Sequence, residues 1–339
     1  MHADMTTRIL NRMKQIITLA AVSILSASCL AQSHPGAEEF AARAAEEHGF
    51  DAAETMELLG DARYKESIVK AMTRPAESKD WHEYRKIFLN EERIEGGVEF
   101  WREHEELISR AAETYGVEPE MIVSIIGVET YYGRITGGYR VLDALATLSF
   151  HYPENLRDRS AFFSRELMNF MLLGKEEELP LREVKGSYAG AMGLGQFMPS
   201  SYLEYAVDLD GDGRRDLWSS VADATGSVAN YLRRHGWKAG QPVTARANVA
   251  EGANTGPVTR SSYKPEKTLS DLAADGFTTA LDIPADTRSG IVRLRESSGD
   301  SYWLTFDNFY VITRYNRSVL YAMAVYDLSQ AVRAAREAE

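Results

Sequence analysis

Cysteine is nearly absent from this sequence: Cys29 stands alone among 339 residues, so no disulfide framework can form within the chain. Basic clusters are missing as well, and with a net charge of -12 the chain lacks the positive face that phosphate backbones require, which argues against a nucleic-acid partner. The seven histidines are scattered and no HExxH occurs, which leaves a zinc hydrolase without support. Beyond the N-terminal segment no apolar run is long enough for a central membrane helix, and no internal repeat is evident. What is present is a globular composition, 44% hydrophobic and 26% charged, with room for one large domain or two to three small ones.

Residues 1–31 differ from everything after them. Arg8, Arg12 and Lys14 precede an apolar stretch over 16–25, then small residues, which is the layout of a secretory signal peptide starting at Met5 or Met13. Cys29 follows Ala27 and Ser28, as the lipidated cysteine of a bacterial lipoprotein signal does, although Ser26 stands where leucine is usual. Ordinary cleavage after Ala31 is the competing reading. Either way the mature chain is expected to be exported, and to meet a membrane only through a lipid anchor.

The chain then reads as mainly α. Alanine, glutamate and leucine dominate residues 36–107, where three helical stretches are expected, the second and third separated at Thr73-Arg74-Pro75. Trp81 is expected in a core, and Tyr84 faces a core or a ligand. A helix over VLDALATLSF should stop at Tyr152-Pro153, and another over RSAFFSRELMNFMLLG should stop at Gly174. VADATGSVANYLRRHGW is read as a helix ending at Gly236. Residues 241–300 are richer in Thr, Pro, Gly and Asn, and IVRLRE, SYWLTF and NFYVITRY read as short strands of a small β-containing lobe before a C-terminal helix.

Within this frame one carboxylate is out of place. Ile122, Ile125, Ile126 and Glu129 follow the i, i+3, i+4, i+7 spacing, so Glu129 shares a buried helix face with three isoleucines. Pro119 suits the first turn and Gly133 the position just past the last. Desolvation and the negative end of the helix dipole both disfavour the ionised form, so the pKa of Glu129 is expected to be raised and its carboxyl able to donate a proton. The alternative is an ion-paired glutamate at a helix end.

Two further stretches carry chemistry. Residues 186–202, GSYAGAMGLGQFMPSSY, crowd Gly186, Gly190, Gly193 and Gly195 together, but no Lys-Ser/Thr follows for a phosphate cradle, and Ser187 is one place too early for a nucleophile elbow. The remaining readings are a loop whose amides, Ser187 and Gln196 line a polyhydroxylated ligand, or a tight structural turn. Residues 208–216, DLDGDGRRD, place carboxylates at positions 1, 3, 5 and 9 with Gly213 at 6 and the Arg214 carbonyl at 7, the opening of an EF-hand-like calcium loop. Ser219 falls where the closing glutamate should be, and Asp223 is the nearest later carboxylate. A solvated Asp/Gly turn is the alternative.

GVETYYG, RVLDALATLSFHYP, GSYAGAMGLGQFMPSSY, DLDGDG with LW after it, GSVANYL and TRYNRSVLYA together resemble the membrane-bound lytic murein transglycosylases of the B type, relatives of lysozyme, over roughly residues 80–325. The resemblance implies a lysozyme-like catalytic core over 111–240 with the calcium loop, a helical region over 36–110, a β-containing lobe over 241–312 and a C-terminal helix over 313–339. It implies Glu129 as sole catalytic acid/base, with Ser187 and Gln196 beside it. Tyr84, Tyr231, Tyr315, Asn316 and Tyr321 match saccharide-cleft residues, with Met192 and Phe197 in the same block as Ser187. Asp208, Asp210, Asp212, the Arg214 carbonyl and Asp223 would hold a structural Ca2+; no organic cofactor is implied. The implied reaction cuts the β-1,4 bond between N-acetylmuramic acid and N-acetylglucosamine of peptidoglycan without water and leaves 1,6-anhydromuramoyl ends. The implied partners are glycan strands and cell-wall synthases, with the protein a monomer. A muramidase that admits water, and a murein-binding lipoprotein without activity, are the competing functions.

Overall fold

The structure, a computed structural model, describes residues 34–73 and 79–339. The leader, Cys29, Arg74 and Pro75 lie outside the described residues. The chain divides into two compact units, one ending at Tyr64 and the other beginning at Lys65. In the first, α1 (Ala37–His48) and α2 (Ala52–Asp61) bury Phe40, Ala41, Leu58 and Leu59. Asp51 caps α2 by accepting from the Glu54 amide at 2.9 Å.

The second unit is helical around one long C-terminal helix. It opens with α3 (Glu66–Met72), α4 (Trp81–Phe88), α5 (Glu91–Glu103) and α6 (Glu105–Tyr115). The long helical stretches expected here are therefore broken more often than anticipated. The break between α2 and α3 follows Ala62, whose backbone is extended. Asn90 starts α5 by accepting from the Arg93 amide at 3.0 Å, and His104 ends it outside the helical region. Trp81 is buried as expected, and so is Tyr84, its ring stacked on Trp81 at 6.4 Å.

The central helix α7 (Pro119–Thr130) begins at Pro119, and its isoleucines are completely buried. After β1 (Tyr139–Arg140), α8 (Val141–Phe150) packs on α9 (Ser160–Glu176). Gly174 does not stop α9 but lies inside it and makes room for Leu181, which an added side chain would meet at 2.6 Å. The strand β2 (Lys185–Gly186) pairs with β1 and leads through the glycine-rich segment to α10 (Pro199–Tyr205), and α11 (Val221–Arg234) follows the acidic loop.

A four-stranded antiparallel sheet has the order β3 (Thr244–Arg246), β8 (Gly299–Thr305), β7 (Arg288–Glu296), β5 (Lys267–Thr268), and β4 (Asn248–Val249) pairs with β6 (Phe277–Thr278). The pairing of Glu296 with Gly299 closes the β7–β8 hairpin, and Leu272, Phe277, Ile291, Leu304 and Phe306 form the lobe's own core. NFYVITRY is not a third strand. It forms α13 (Asp307–Tyr315), preceded in chain order by α12 (Leu269–Ala274). Its aromatic and β-branched residues favour a strand, but buried Asn308 fixes the helix start: its side chain accepts from the Lys238 amide at 2.8 Å and donates to the carbonyls of Lys238 and Gln241. Phe309 and Ile312 then share the apolar side three residues apart. The last helix, α14 (Val319–Glu337), packs along α7, α5, α4 and α13.

Candidate active site

Glu129 lies in the last turn of α7, partly exposed, where its chain leaves the apolar core. The helix ends abruptly. Tyr131 and Tyr132 both adopt left-handed backbone conformations, with φ of 53° and 58°, and their amides bond back to Gly127 and Ile126. Two non-glycine residues in this region carry strain that the surroundings must offset. Tyr132 supplies the offset. Its side chain lies where side chains on Gly97 and Gly127 would be, its hydroxyl oxygen 2.5 Å from a carbon added at Gly97 and its ring 2.7 Å from one added at Gly127, and that hydroxyl donates to Arg93 O at 2.9 Å. Arg93 in turn donates to the Gly127 carbonyl, so a cation meets the negative end of the dipole that sequence reasoning had acting on Glu129 alone.

Glu129 faces a row of tyrosines brought in by α11, α13 and α14. Ser318 caps α14, accepting from the Tyr321 amide at 3.2 Å, and this places Tyr321 in the first turn with its hydroxyl donating to Glu129 Oε1 at 2.6 Å. The rings of Tyr315 and Tyr321 stack at 6.5 Å with 11° between planes; Tyr231 meets Tyr315 edge-on at 4.7 Å. Burial, and then the charge of Glu129, hold the hydroxyls of Tyr315 and Tyr321 well above the usual phenol range, so both remain donors. Tyr315 donates to Gly195 O at 2.6 Å and Tyr231 to Arg314 O at 2.6 Å. Among the described residues, no carboxylate other than Glu129 hydrogen-bonds to Ser187, Gln196, Tyr231, Tyr315 or Tyr321.

The glycine-rich segment closes the other side. Thr130, next to Glu129, donates to Leu194 O at 2.9 Å, which registers the helix end with this loop. Gly193, at φ 70°, lies against Leu217, where an added side chain would meet the Leu217 carbonyl at 2.5 Å. At Gly193, and at Gly186 against Ala191 O, the close approach is made to the protein's own backbone. Gln196, itself left-handed at φ 51°, donates to Thr136 O and Gly193 O, both at 3.0 Å. Ser187 Oγ accepts from the amides of Ala191 and Ala189 at 3.0 and 3.3 Å, which leaves its proton for another partner.

The expected cleft residues divide into two sets. Tyr315, Asn316, Ser187 and Gln196 are partly exposed around Glu129's side of the fold, whereas Tyr84, Met192, Phe197, Tyr231 and Tyr321 are buried beneath. Tyr84 is near enough to Tyr321 to raise its pKa, and Phe197 fills the space between Tyr231 and Tyr315, 5.8 Å from each. Sequence reasoning missed Arg93, Gly97, Gly127, Thr130 and Tyr132. The one available signal was glycine inside helical runs, at Gly96-Gly97 and Gly127, where a close neighbour is the usual reason.

In the acidic loop, Asp208, Asp210 and Asp212 converge, with one oxygen from each within 4.8 Å of the others. Asp208 accepts from the Gly213 and Gly211 amides at 2.8 and 2.6 Å, and the Gly213 bond chiefly lowers its pKa. Asp223 sits at the loop's base and staples it, accepting from the amides of Leu209 and Asp216, both at 2.8 Å. Three hard oxygens with a carbonyl two residues on fit a calcium ion, whose other ligands would come from Asp223's spare lone pairs and water.

The chain matches the family described as transglycosylase SLT domain over residues 32–330. It is 43% identical over 314 residues to membrane-bound lytic murein transglycosylase B of Escherichia coli (strain K12), covering 90% of this chain and 84% of that one. The soluble lytic transglycosylase SltB1 of Pseudomonas aeruginosa superposes with a TM-score of 0.83 at 47% identity, covering 89% of this chain and all of the other. The Escherichia coli lytic transglycosylase Slt35, solved in complex with calcium, superposes with a TM-score of 0.81 at 44% identity over 90% of this chain and 94% of its own. This mainly α, lysozyme-like chain belongs to the transglycosylase SLT domain family.

Proposed function

We propose that Glu129 is the single acid/base of this chain. The protein is a lytic transglycosylase acting on peptidoglycan. The observation that carries the assignment of Glu129 is its position at the end of a buried helix, hydrogen-bonded to Tyr321, with no second carboxylate hydrogen-bonded to Tyr231, Tyr315 or Tyr321 among the described residues.

Glycosidases of the usual kind need two carboxyl groups. With one, the acid must return as the base. Glu129, in its protonated form, delivers its proton to the oxygen between N-acetylmuramic acid and N-acetylglucosamine. The bond breaks toward an oxocarbenium-like centre, stabilised by the substrate's own N-acetyl group, which the Ser187 hydroxyl can orient by donating to its carbonyl. Glu129, now a carboxylate held by the Tyr321 hydroxyl, takes the proton of the muramoyl 6-hydroxyl as that oxygen attacks the anomeric carbon. The product carries a 1,6-anhydro ring, and no water is consumed. The partly exposed face of Tyr315 offers a stacking surface to a sugar, since its hydroxyl is already engaged.

Ca2+ held by Asp208, Asp210, Asp212, the Arg214 carbonyl and Asp223 belongs to the same proposal. It would neutralise the converging carboxylates and fix the loop; no reaction step uses it. Support comes from the converging oxygens and from the relative solved with calcium. The four-part division at 110, 240 and 312, the exported location with Cys29 as a lipid anchor, the monomeric state and an association with cell-wall synthases complete the reading. No helix among the described residues is long and apolar enough to cross a membrane.

The direct test replaces one atom. Glu129→Gln is expected to keep its melting temperature and to lose about 100-fold to 10,000-fold of its turnover on purified murein; normal turnover would remove Glu129 from the mechanism.

A further inference from the structure

A cleft of about 730 Å3 opens where the central helix begins, between α7, α14 and the β-containing lobe. Its volume lies within the roughly 300–1,000 Å3 of small-ligand sites. Glu118 and Glu120 line it from the start of α7, Gln330 and Arg333 from α14, and Arg246 and Trp303 from β3 and β8. Glu129 stands at the other end of α7, about 16 Å along a helix that rises roughly 1.5 Å per residue. Neither Ser187, Gln196 nor the tyrosine row lines this cleft, and neither the acid/base reading nor the metal reading uses it.

The lining specifies a neutral, hydroxyl-rich ligand. Arg246 and Trp303 are register partners on neighbouring strands, and the Arg246 guanidinium lies over the Trp303 ring, 5.9 Å from its centre. The indole N–H donates to Ser301 Oγ at 3.1 Å, so the partly exposed ring is held as a fixed platform on which a sugar face can stack. Around that ring the charges nearly cancel: Glu118, Glu120 and Asp282 stand against Arg246 and Arg333, which speaks against an anionic ligand. A basic ligand fits no better. Glu120 is paired with Arg333 at 3.2 Å, and Glu118 accepts from the Trp237 indole and the Gly240 amide at 2.8 and 2.7 Å. Each carboxylate oxygen of Glu118 keeps a lone pair for a hydroxyl donor. Among the described residues of the lining, Leu281 is the one large apolar side chain that is exposed, too little for a membrane surface.

We propose that this cleft is a second saccharide site, which holds N-acetylated amino sugars of peptidoglycan without cutting them. The proposal rests on the activity toward peptidoglycan and not on the role given to Glu129. Trp303 stacks on a sugar face, Glu118 and Gln330 accept from its hydroxyls, and Arg246 donates to its N-acetyl carbonyl. Substrate engaged both here and at Glu129 is held through two contacts, and the second forms at the effective concentration that the first creates. The gain is in binding alone, so KM on extended substrate falls and kcat is untouched.

The test uses the full protein, chitotetraose as a neutral N-acetylglucosamine probe, and purified murein. Chitotetraose is expected to shift the Trp303 indole N–H signal in proton–nitrogen NMR spectra, a signal identified by its loss in Trp303→Phe. Trp303→Ala should raise KM on murein about tenfold with kcat unchanged, and Trp303→Phe, which keeps a ring, should restore most of the difference. Arg246→Ala, at an exposed position whose loss leaves the fold alone, should raise KM about two- to fivefold, the effect of one exposed cation–π contact. On short oligosaccharides, which fill the cleft at Glu129 alone, these variants should match the native chain. An unmoved Trp303 signal, an unchanged KM on murein in Trp303→Ala, or an equal loss on short and extended substrates overturns the second site while leaving the role of Glu129 intact. A Trp303 signal that answers to an oligolysine peptide and not to chitotetraose overturns it as well, in favour of a basic partner.

Discussion

The hydroxyl of Tyr321 donates a 2.6 Å hydrogen bond to Oε1 of Glu129, joining the end of the central helix to the first turn of the C-terminal helix. The bond holds one rotamer of a side chain whose own helix ends at the next residue.

Removing that hydroxyl should therefore impair chemistry more than binding. Tyr321→Phe keeps the ring that stacks on Tyr315 and loses a hydrogen bond to a charged group, worth about 1.5–3 kcal/mol. The expected result is a drop of roughly 10-fold to 100-fold in kcat with KM little changed, measured on purified murein.

The tight helix end makes a separate prediction. A methyl group at Gly127 would lie 2.7 Å from the Tyr132 ring, so Gly127→Ala must displace the wedge that supports the left-handed turn. A loss of about 1–3 kcal/mol in unfolding free energy is expected, with activity falling further than stability because Glu129 is two residues away. Denaturant titration and turnover on the same samples check both parts. Unchanged activity would mean that Tyr132 is packing and nothing more.

Most of this helix could be read from sequence, and the reason is local. Pro119, the isoleucine spacing and Glu129 all lie within one element, so periodicity placed the carboxylate at the edge of the core. Its supports could not be read that way. Tyr132 is held by glycines from two helices, Thr130 meets Leu194 64 residues on, and Tyr321 is 192 residues away; none of these contacts has a sequence period. NFYVITRY failed for the complementary reason: its residues suit a strand, and the contacts of Asn308 with Lys238 and Gln241 override that preference.

Calcium should act on stability. At about 100-fold over its dissociation constant a bound ion contributes roughly 2.7 kcal/mol, so adding calcium should raise the melting temperature by about 5–10 °C. Asp212→Asn should abolish the rise. A chelator should reverse it with little effect on turnover in protein that is still folded; loss of turnover without unfolding would contradict a purely structural ion.

A pH effect follows from Asp327, on α14 away from the tyrosine row. Burial pushes its carboxyl up to about 6, although Arg85 at 3.8 Å pulls the other way. The folded state thus holds this proton more tightly than the unfolded chain does, and Asp327's contribution becomes more destabilising as pH rises from about 4 through 6. Asp327→Asn should therefore stabilise the protein at pH 7, by about 1–3 kcal/mol, with the gain shrinking toward pH 4. Thermal unfolding of both proteins across that range measures the difference; a constant gap would show that Asp327 does not titrate there.

The central claim is that one carboxyl, Glu129, performs both proton transfers with the muramoyl 6-hydroxyl in place of water. Mass spectrometry of the muropeptides released from purified murein tests it most directly. Native protein is predicted to yield fragments one water lighter than reducing-end muropeptides, and Glu129→Gln to yield almost none. Reducing ends from the native protein, or anhydro ends in normal amount from Glu129→Gln, would contradict it.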